Sequence, residues 1–324
     1  MSANQYMRLS AAFGFLKDPP PEFVFEIAAD GIALARSRPP ASLQHVPLKR
    51  GVIAPSPVKE NILDPAAFAE AVRKLTPPAT SRGRKSAALI LPDNCVRIAV
   101  LDFDTLPAKE EERRPLINFR LRKSVPFDID QAALSYFLQA GKKVIVVLTP
   151  SEIVAHYETP FRAVGLHPGL ITVSSLAMLD LLPLTGSLVL AHHSPGALTV
   201  IGLSEGVVTI ARSLEIAEPA VDVISENDEF GADSIADPLD EVIAGIYPTL
   251  AYIEDQTGAR PGKLFIAGFG EQTESSSIRL SAELEIPVEA IHEPWPGLNG
   301  YLAGLAPKAA PRSAPKKPDQ KAAA

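Results

Sequence analysis

The chain has 324 residues, 46% of them hydrophobic and 21% charged, with a formal net charge of -7; that is apolar material for one large packed domain or two lobes. A field of that sign disfavours non-specific binding to nucleic acid or to anionic lipid. The single cysteine, Cys95, excludes an internal disulfide, suits a reducing compartment and has no Cys/His set with metal spacing around it, so it reads as a packed or half-exposed thiol.

Residues 1–22 contain one apolar run, around Ala11 to Leu16, broken by Gly14 and stopped by Lys17. It is too short for a secretory signal and reads as a loosely ordered arm, with a weak membrane-surface contact as the alternative. No run approaches the ~20 apolar residues of a spanning helix, so a soluble, cytoplasmic protein is expected. Order begins at Phe23. Alternating apolar residues predict a hairpin over 23–28 and 32–36, one face buried, with Asp30-Gly31 supplying the turn. A Pro-rich stretch holds a third strand at 44–48. Asp64 as N-cap and Pro65 at the first position start a helix over 64–75. A basic loop then leads to a strand at 87–91.

Residues 93–150 change character. A strand at 96–103, a highly charged helix over 109–123 with Pro115 in its path, and strands at 134–138 and 144–148 predict a small α+β unit. A helix over 151–164 stops at Gly165; a strand at 169–173 and a helix over 174–182 follow. After Pro183 the pattern begins again. Strands are predicted at 188–192, 197–203 and 207–214, the last two joined through Ser204-Glu205-Gly206. A helix over 240–256, a strand at 263–266, the glycine turn Ala267-Gly268-Phe269-Gly270, a helix over 275–284, a strand at 288–290 and a helix over 298–305 complete it. From Pro307 the chain is Lys, Pro and Ala without periodicity, which predicts a disordered tail over 307–324.

Hairpin, third strand, helix and strand thus occur twice, as a duplication of architecture rather than of letters. The layout is that of a two-lobed, actin-like (ribonuclease H-like) α/β fold. Its first lobe covers 23–185, with the α+β subdomain inserted at 93–165; its second covers 186–306.

The run LPDNCVRIAVLDFDTLPAKEEERRPLINFRLRKSVPFDIDQAALSYFL carries Leu106-Pro107, the acidic helix start Glu110 to Glu112 and Pro126-Phe127-Asp128. In that order it resembles the inserted subdomain of PilM-type proteins, the actin-like components of type IV pilus machines. VIVVLTPSEIVAHYETPFRAVGLHPGLITVSSLAMLDLL and LNGYLAGLA are similar to that family's following strand–helix–strand–helix and closing helix, so the resemblance covers about 23 to 306. Secretion-system proteins of the GspL type are the nearest confusable class. The resemblance implies the FtsA type of actin-like fold and a scaffold under the inner membrane. It also implies a partner, the short cytoplasmic tail of a bitopic, PilN-type protein, and in several family members ATP between the lobes.

An actin-like cleft holds ATP and Mg²⁺ between two hairpins, each needing small residues for backbone N–H contacts and an Asp to position the metal's waters. Where the family reads roughly Asp-Ile-Gly-Ser-Ser, this chain has Glu26-Ile27-Ala28-Ala29-Asp30. Where the second hairpin carries Asp-x-Gly, it has Leu190 and His192, and Pro195 removes an N–H. On the helix over 240–256, Gly245 and Pro248 stand where the family has a Glu and an Arg, and Pro248 is expected to kink or split it. Glu26, Gly268 and Gly270 are the residual nucleotide-site residues. The expected protein is therefore a pseudo-ATPase scaffold, neither enzyme nor metal protein, without ATP or Mg²⁺. An ATP-binding switch of the same fold and a GspL-like component are the alternatives.

The remaining candidates read as structural. His192-His193 lie on opposite strand faces without a neighbouring acid, as in a loop at a strand end. Ser174-Ser175 lack a nucleophile's context. Asp102 and Asp104 edge a strand, and Glu110 to Glu112 suit the positive end of a helix dipole, with a binding surface as the alternative. The acidic stretch Asn227 to Asp240 reads as a linker.

Overall fold

In a computed structural model of the chain, the structure describes residues 19–37, 43–77, 85–216 and 237–305. The basic loop, most of the acidic stretch, the arm before residue 19 and the tail after residue 305 lie outside the described residues. The first half is β1 (Phe23–Ala28), β2 (Gly31–Arg36), β3 (Gln44–Pro47), α1 (Pro65–Leu75) and β4 (Lys85–Leu91). Next come β5 (Arg97–Asp102), α2 (Glu110–Leu121), β6 (Ala132–Leu138) and β7 (Lys143–Pro150), then α3 (Ser151–Ala163), β8 (Leu166–Val173) and α4 (Ser174–Met178). The second half is β9 (Ser187–Ser194), β10 (Ala197–Ser204), β11 (Val207–Glu215), α5 (Pro238–Thr257), β12 (Lys263–Ala267), α6 (Thr273–Leu284), β13 (Val288–Ala290) and α7 (Pro296–Leu305).

The two large sheets have the same plan. One runs β3-β2-β1-β4-β8, the other β11-β10-β9-β12-β13, and a three-stranded sheet β5-β7-β6 stands between them in sequence. In each large sheet an antiparallel hairpin leads into parallel strands, β1 beside β4 and β9 beside β12. The duplicated hairpin-then-βα pattern is therefore an observed two-sheet architecture.

Local chemistry explains the elements. Asp64 caps α1, its carboxylate accepting from Ala67 N at 2.9 Å. Glu205 and Gly206 both take positive φ, the geometry of a two-residue hairpin turn between β10 and β11. The first hairpin turns differently from the expectation. Ala28 pairs with Gly31, so Ala29 and Asp30 form the loop and Gly31 is a strand residue. A Cβ at Gly31 would lie 3.0 Å from the Val46 carbonyl and 3.3 Å from Trp295, so glycine there serves close packing rather than a turn.

Three further expectations are corrected. First, β1 and β2 bury both faces. Phe23, Phe25 and Ile27 pack with Phe68 of α1, while Val24, Ala33 and Ala35 pack with Leu298 and Tyr301 of α7. Helices cover the sheet on both sides, so apolar residues at alternate positions do not mark its only buried face. Second, α3 does not belong to the inserted unit. Phe161 meets Phe25 edge-on at 4.9 Å and Tyr157 meets Phe68 at 6.1 Å, which places α3 on the first sheet. Likewise α7 returns to that sheet, so closely that a Cβ at Gly300 would sit 2.2 Å from the Ala177 carbonyl. Third, α5 is not split at Pro248 but continues from Pro238 to Thr257. Pro248 and Ala244, whose carbonyl the ring leaves without its helical partner, are both exposed, so the lost bond falls on the solvent side of the helix.

Candidate functional site

The carboxyl ends of parallel strands are where open α/β sheets place ligands, and here two such ends face each other. A cleft of about 440 Å³ is lined by the β1–β2 turn, Asp93 and Asn94 after β4, the β9–β10 turn, the glycine turn after β12, and the segment leading into α7. A wider cavity of about 1010 Å³ adjoins it, lined by Arg50, Ile216, Leu239 and Phe269 among others.

Glu26 projects from β1 and is only 3% exposed. Its Oε1 accepts from Ser174 Oγ at 2.8 Å and Gly297 N at 3.2 Å, and its Oε2 accepts from Leu298 N at 2.8 Å. The first N–H groups of a helix have no partner within it, so Glu26 caps α7 from the neighbouring sheet. Gly297 makes room for this: a Cβ there would be 2.6 Å from Oε1 and 2.9 Å from the Ser174 Cα. Burial pushes the Glu26 carboxyl above its usual range, while the donors at Leu298, Ser174 and Gly297 and the charge of His192 pull it back.

Asp93 lies at the base of the cleft, 1% exposed. Its Oδ1 accepts from Ser175 N at 2.9 Å, and its Oδ2 lies 2.7 Å from Nδ1 of His192. An ionised carboxylate only accepts, so Nδ1 carries the hydrogen. His192 is on β9 in the other sheet, opposite Ala267 of β12. The neighbouring His193 points its Nδ1 at the Gly268 carbonyl, 3.4 Å away, and packs on Phe269 with ring centres 5.3 Å apart. Burial holds His193 below the ordinary histidine range, against the pull of the Gly268 carbonyl.

Gly268 (φ +84°) and Gly270 (φ +56°) shape the turn after β12. A Cβ at Gly268 would fall 1.9 Å from the His193 carbonyl, whereas Gly270 has open space at that point. Glu26, Gly268 and Gly270, the residues expected of a residual nucleotide site, all line the cleft, but Glu26 faces the start of α7. Gly245 packs α5 onto the sheet, since a Cβ would lie 2.9 Å from both Leu198 and Leu214.

Sequence reading missed Asp93 and misjudged His192. The predicted strand does hold His192, but the position is buried and its acidic partner lies 99 residues away in sequence. Asp93 was findable in principle, because it ends the buried run of β4 at the carboxyl edge of a parallel strand. Ser174 and Ser175 act through one hydroxyl and one backbone N–H, both as donors to the two buried acids. Cys95 is fully buried, its thiol bonded to the Pro92 carbonyl and its carbonyl held by Thr149. Burial raises its thiol far above the usual range, so it is no nucleophile. Asp102 pairs with Lys143 across the β5–β7 edge at 2.7 Å.

The cleft residues fit an ATP–Mg²⁺ complex poorly. Both oxygens of Glu26 and of Asp93 are already occupied by protein groups, and His192 fills the space beside Asp93. The residues lining the cleft include Asp30, Glu271, Glu274 and Glu293 but no Lys or Arg. Among the described residues no three His, Cys, Asp or Glu side chains are grouped to hold a metal, and no helix is long and apolar enough to cross a membrane.

No protein-family model and no curated protein matches the chain. Solved structures do. A protein of Bacteroides thetaiotaomicron described as having an actin-like ATPase fold and unknown function is 12% identical, with a TM-score of 0.54 over 89% of this chain and 98% of that one. The fold is thus actin-like. More particularly, the chain is similar to the PilM–PilN type IV pilus biogenesis complex, at 18% identity and a TM-score of 0.69 over 89% of this chain and 100% of that one. The cytoplasmic domain of EpsL, an inner-membrane component of the type II secretion system of Vibrio cholerae, is also similar, at 8% identity and a TM-score of 0.49 over 86% of this chain and 93% of that one.

Proposed function

We propose that the protein is a cytoplasmic, actin-like scaffold of a type IV pilus or related envelope machine. It holds the short cytoplasmic tail of a PilN-type inner-membrane protein, through which it sits at the membrane, and neither binds ATP productively nor hydrolyses it. The observation that carries the scaffold reading is the match in fold to the PilM–PilN complex over the whole length of that chain. The pseudo-ATPase reading is supported by the self-satisfied acids: Glu26 caps α7, and Asp93 is bonded to Ser175 and His192. Extended-peptide docking on a groove or sheet edge of the first lobe is the physical mode.

Co-purification tests the scaffold. The chain is expressed with tagged bitopic proteins carrying short cytoplasmic tails, and with the same proteins lacking those tails. Retention by the intact tail alone is expected; retention by neither form overturns the reading. The competing reading is an ATP-binding switch of the same fold, favoured by the open space beside Gly270 and the adjoining cavity.

A further inference from the structure

We propose that Asp93 and His192 form a lock between the two halves of the molecule, standing where this fold otherwise seats a ligand and tying the halves together across the cleft without one. The inference rests on reading the nucleotide site as degenerate and goes on to say what replaced it. The pair joins the turn after β4 in the first sheet to β9 in the second, at 2.7 Å, with both residues buried. Neither partner is free to swing. The Ser175 N–H fixes the other oxygen of Asp93. His192 is a mid-strand residue paired with Thr199 and Ala267, and Gly268 packs against its ring, where a Cβ would come within 3.3 Å of Cδ2.

A second polar tie fastens the halves elsewhere. The Gln139 amide, just after β6, donates to the Val208 carbonyl at 2.9 Å and accepts from the Val208 N–H at 2.8 Å. It pairs with β11 as another strand would. Leu188, Leu190, Ile201 and Leu203 of the second half belong to one apolar cluster with Phe23, Phe25 and Leu89 of the first. The titratable groups around His192 are Asp93 and Glu26 from the first half and His193 from its own strand. A ligand bridging the two hairpins would have to displace this contact first. Removing one partner of a buried pair costs more than the pair contributes, because the other is left without compensation.

The test combines a double-mutant cycle with a distance measurement. D93N, H192N and the double variant are compared by thermal unfolding. Spin labels on A66C of α1 and D255C of α5, both exposed positions, report the separation of the halves; buried Cys95 stays unlabelled. Each single variant is expected to lower the midpoint by roughly 5–15 °C. The double variant should be no worse than the poorer single, and the distance distribution should widen in all three. Wild type should keep one narrow distance with or without millimolar ATP and Mg²⁺. Additive midpoints, or an unchanged distance in H192N, overturn the lock. Should the variants not fold, the wild-type distance distribution decides alone: a single narrow distance upholds the lock, and a broad or two-peaked one overturns it. Nucleotide binding is titrated separately: ATP bound without a shift would leave the lock standing and sink the pseudo-ATPase reading.

Discussion

Glu26→Ala separates a structural role for this acid from a metal-positioning one. The carboxylate accepts three hydrogen bonds, from Ser174 Oγ, Gly297 N and Leu298 N. Ser174 can turn its hydroxyl elsewhere, but the two backbone N–H groups are buried at the start of α7 and have no other partner in the helix. Each unsatisfied donor costs about 1–3 kcal/mol, so the total is about 2–5 kcal/mol after allowing for the desolvation that alanine avoids. For a chain of this length that lowers the thermal midpoint by roughly 4–10 °C. Glu26→Gln keeps the shape and one acceptor oxygen but sets an NH2 against one of the backbone N–H groups, so it should cost about 1–3 kcal/mol, less than Glu26→Ala. Differential scanning calorimetry of the two variants is the assay. A midpoint for E26A no lower than that of E26Q would refute the capping argument and return Glu26 to the ligand site.

Other consequences are as concrete. Gly300→Ala places a Cβ within 2.2 Å of the Ala177 backbone, which no rotamer relieves, so a loss of about 3 kcal/mol or more is expected in thermal unfolding; a neutral variant would contradict the close α4–α7 approach. Gln139→Ala removes both bonds to Val208 and should speed amide exchange at Val208 at least tenfold; unchanged protection would contradict that tie. The folded pKa of Glu26 is raised, so its contribution is present below the unfolded value near 4.5 and lost as pH rises through the folded value. The stability of wild type relative to E26Q should therefore fall over that window. His193 is shifted the opposite way: its contribution is present above the unfolded value near 6.5 and lost as pH falls through the folded one. H193Q should thus flatten the decline on the acid side, and midpoints measured from pH 7 downward that run parallel in both proteins would contradict this.

Local signals carried much of the fold. Asp64-Pro65 marked a capped helix, Ser204-Glu205-Gly206 marked a hairpin, and the repeated hairpin-then-βα order marked two similar sheets. What sequence order cannot give is which surface an element covers. Both α3 and α7 were legible as helices, yet their places on the first sheet are set by Phe161 against Phe25 and by Gly300 against Ala177. The place of the candidate site was legible, since Glu26, His192 and Pro195 all line the cleft. The contact between Asp93 and His192 was not. Asp93 and His192 are 99 positions apart and meet only when the ends of β4 and β9 face each other. The split expected at Pro248 is absent for a different reason: the penalty depends on whether the freed carbonyl is wet, and on α5 that face is exposed.

The central claim is that the protein's own side chains bridge the cleft and that it takes no nucleotide. Isothermal titration of the purified full chain with ATP and Mg²⁺ tests it most directly. No saturable heat is expected up to millimolar nucleotide, and H192N, with the lock broken, should gain none either, since the cleft still lacks the second hairpin's acid at Leu190. Saturable binding at micromolar concentration to the wild-type chain would contradict the account.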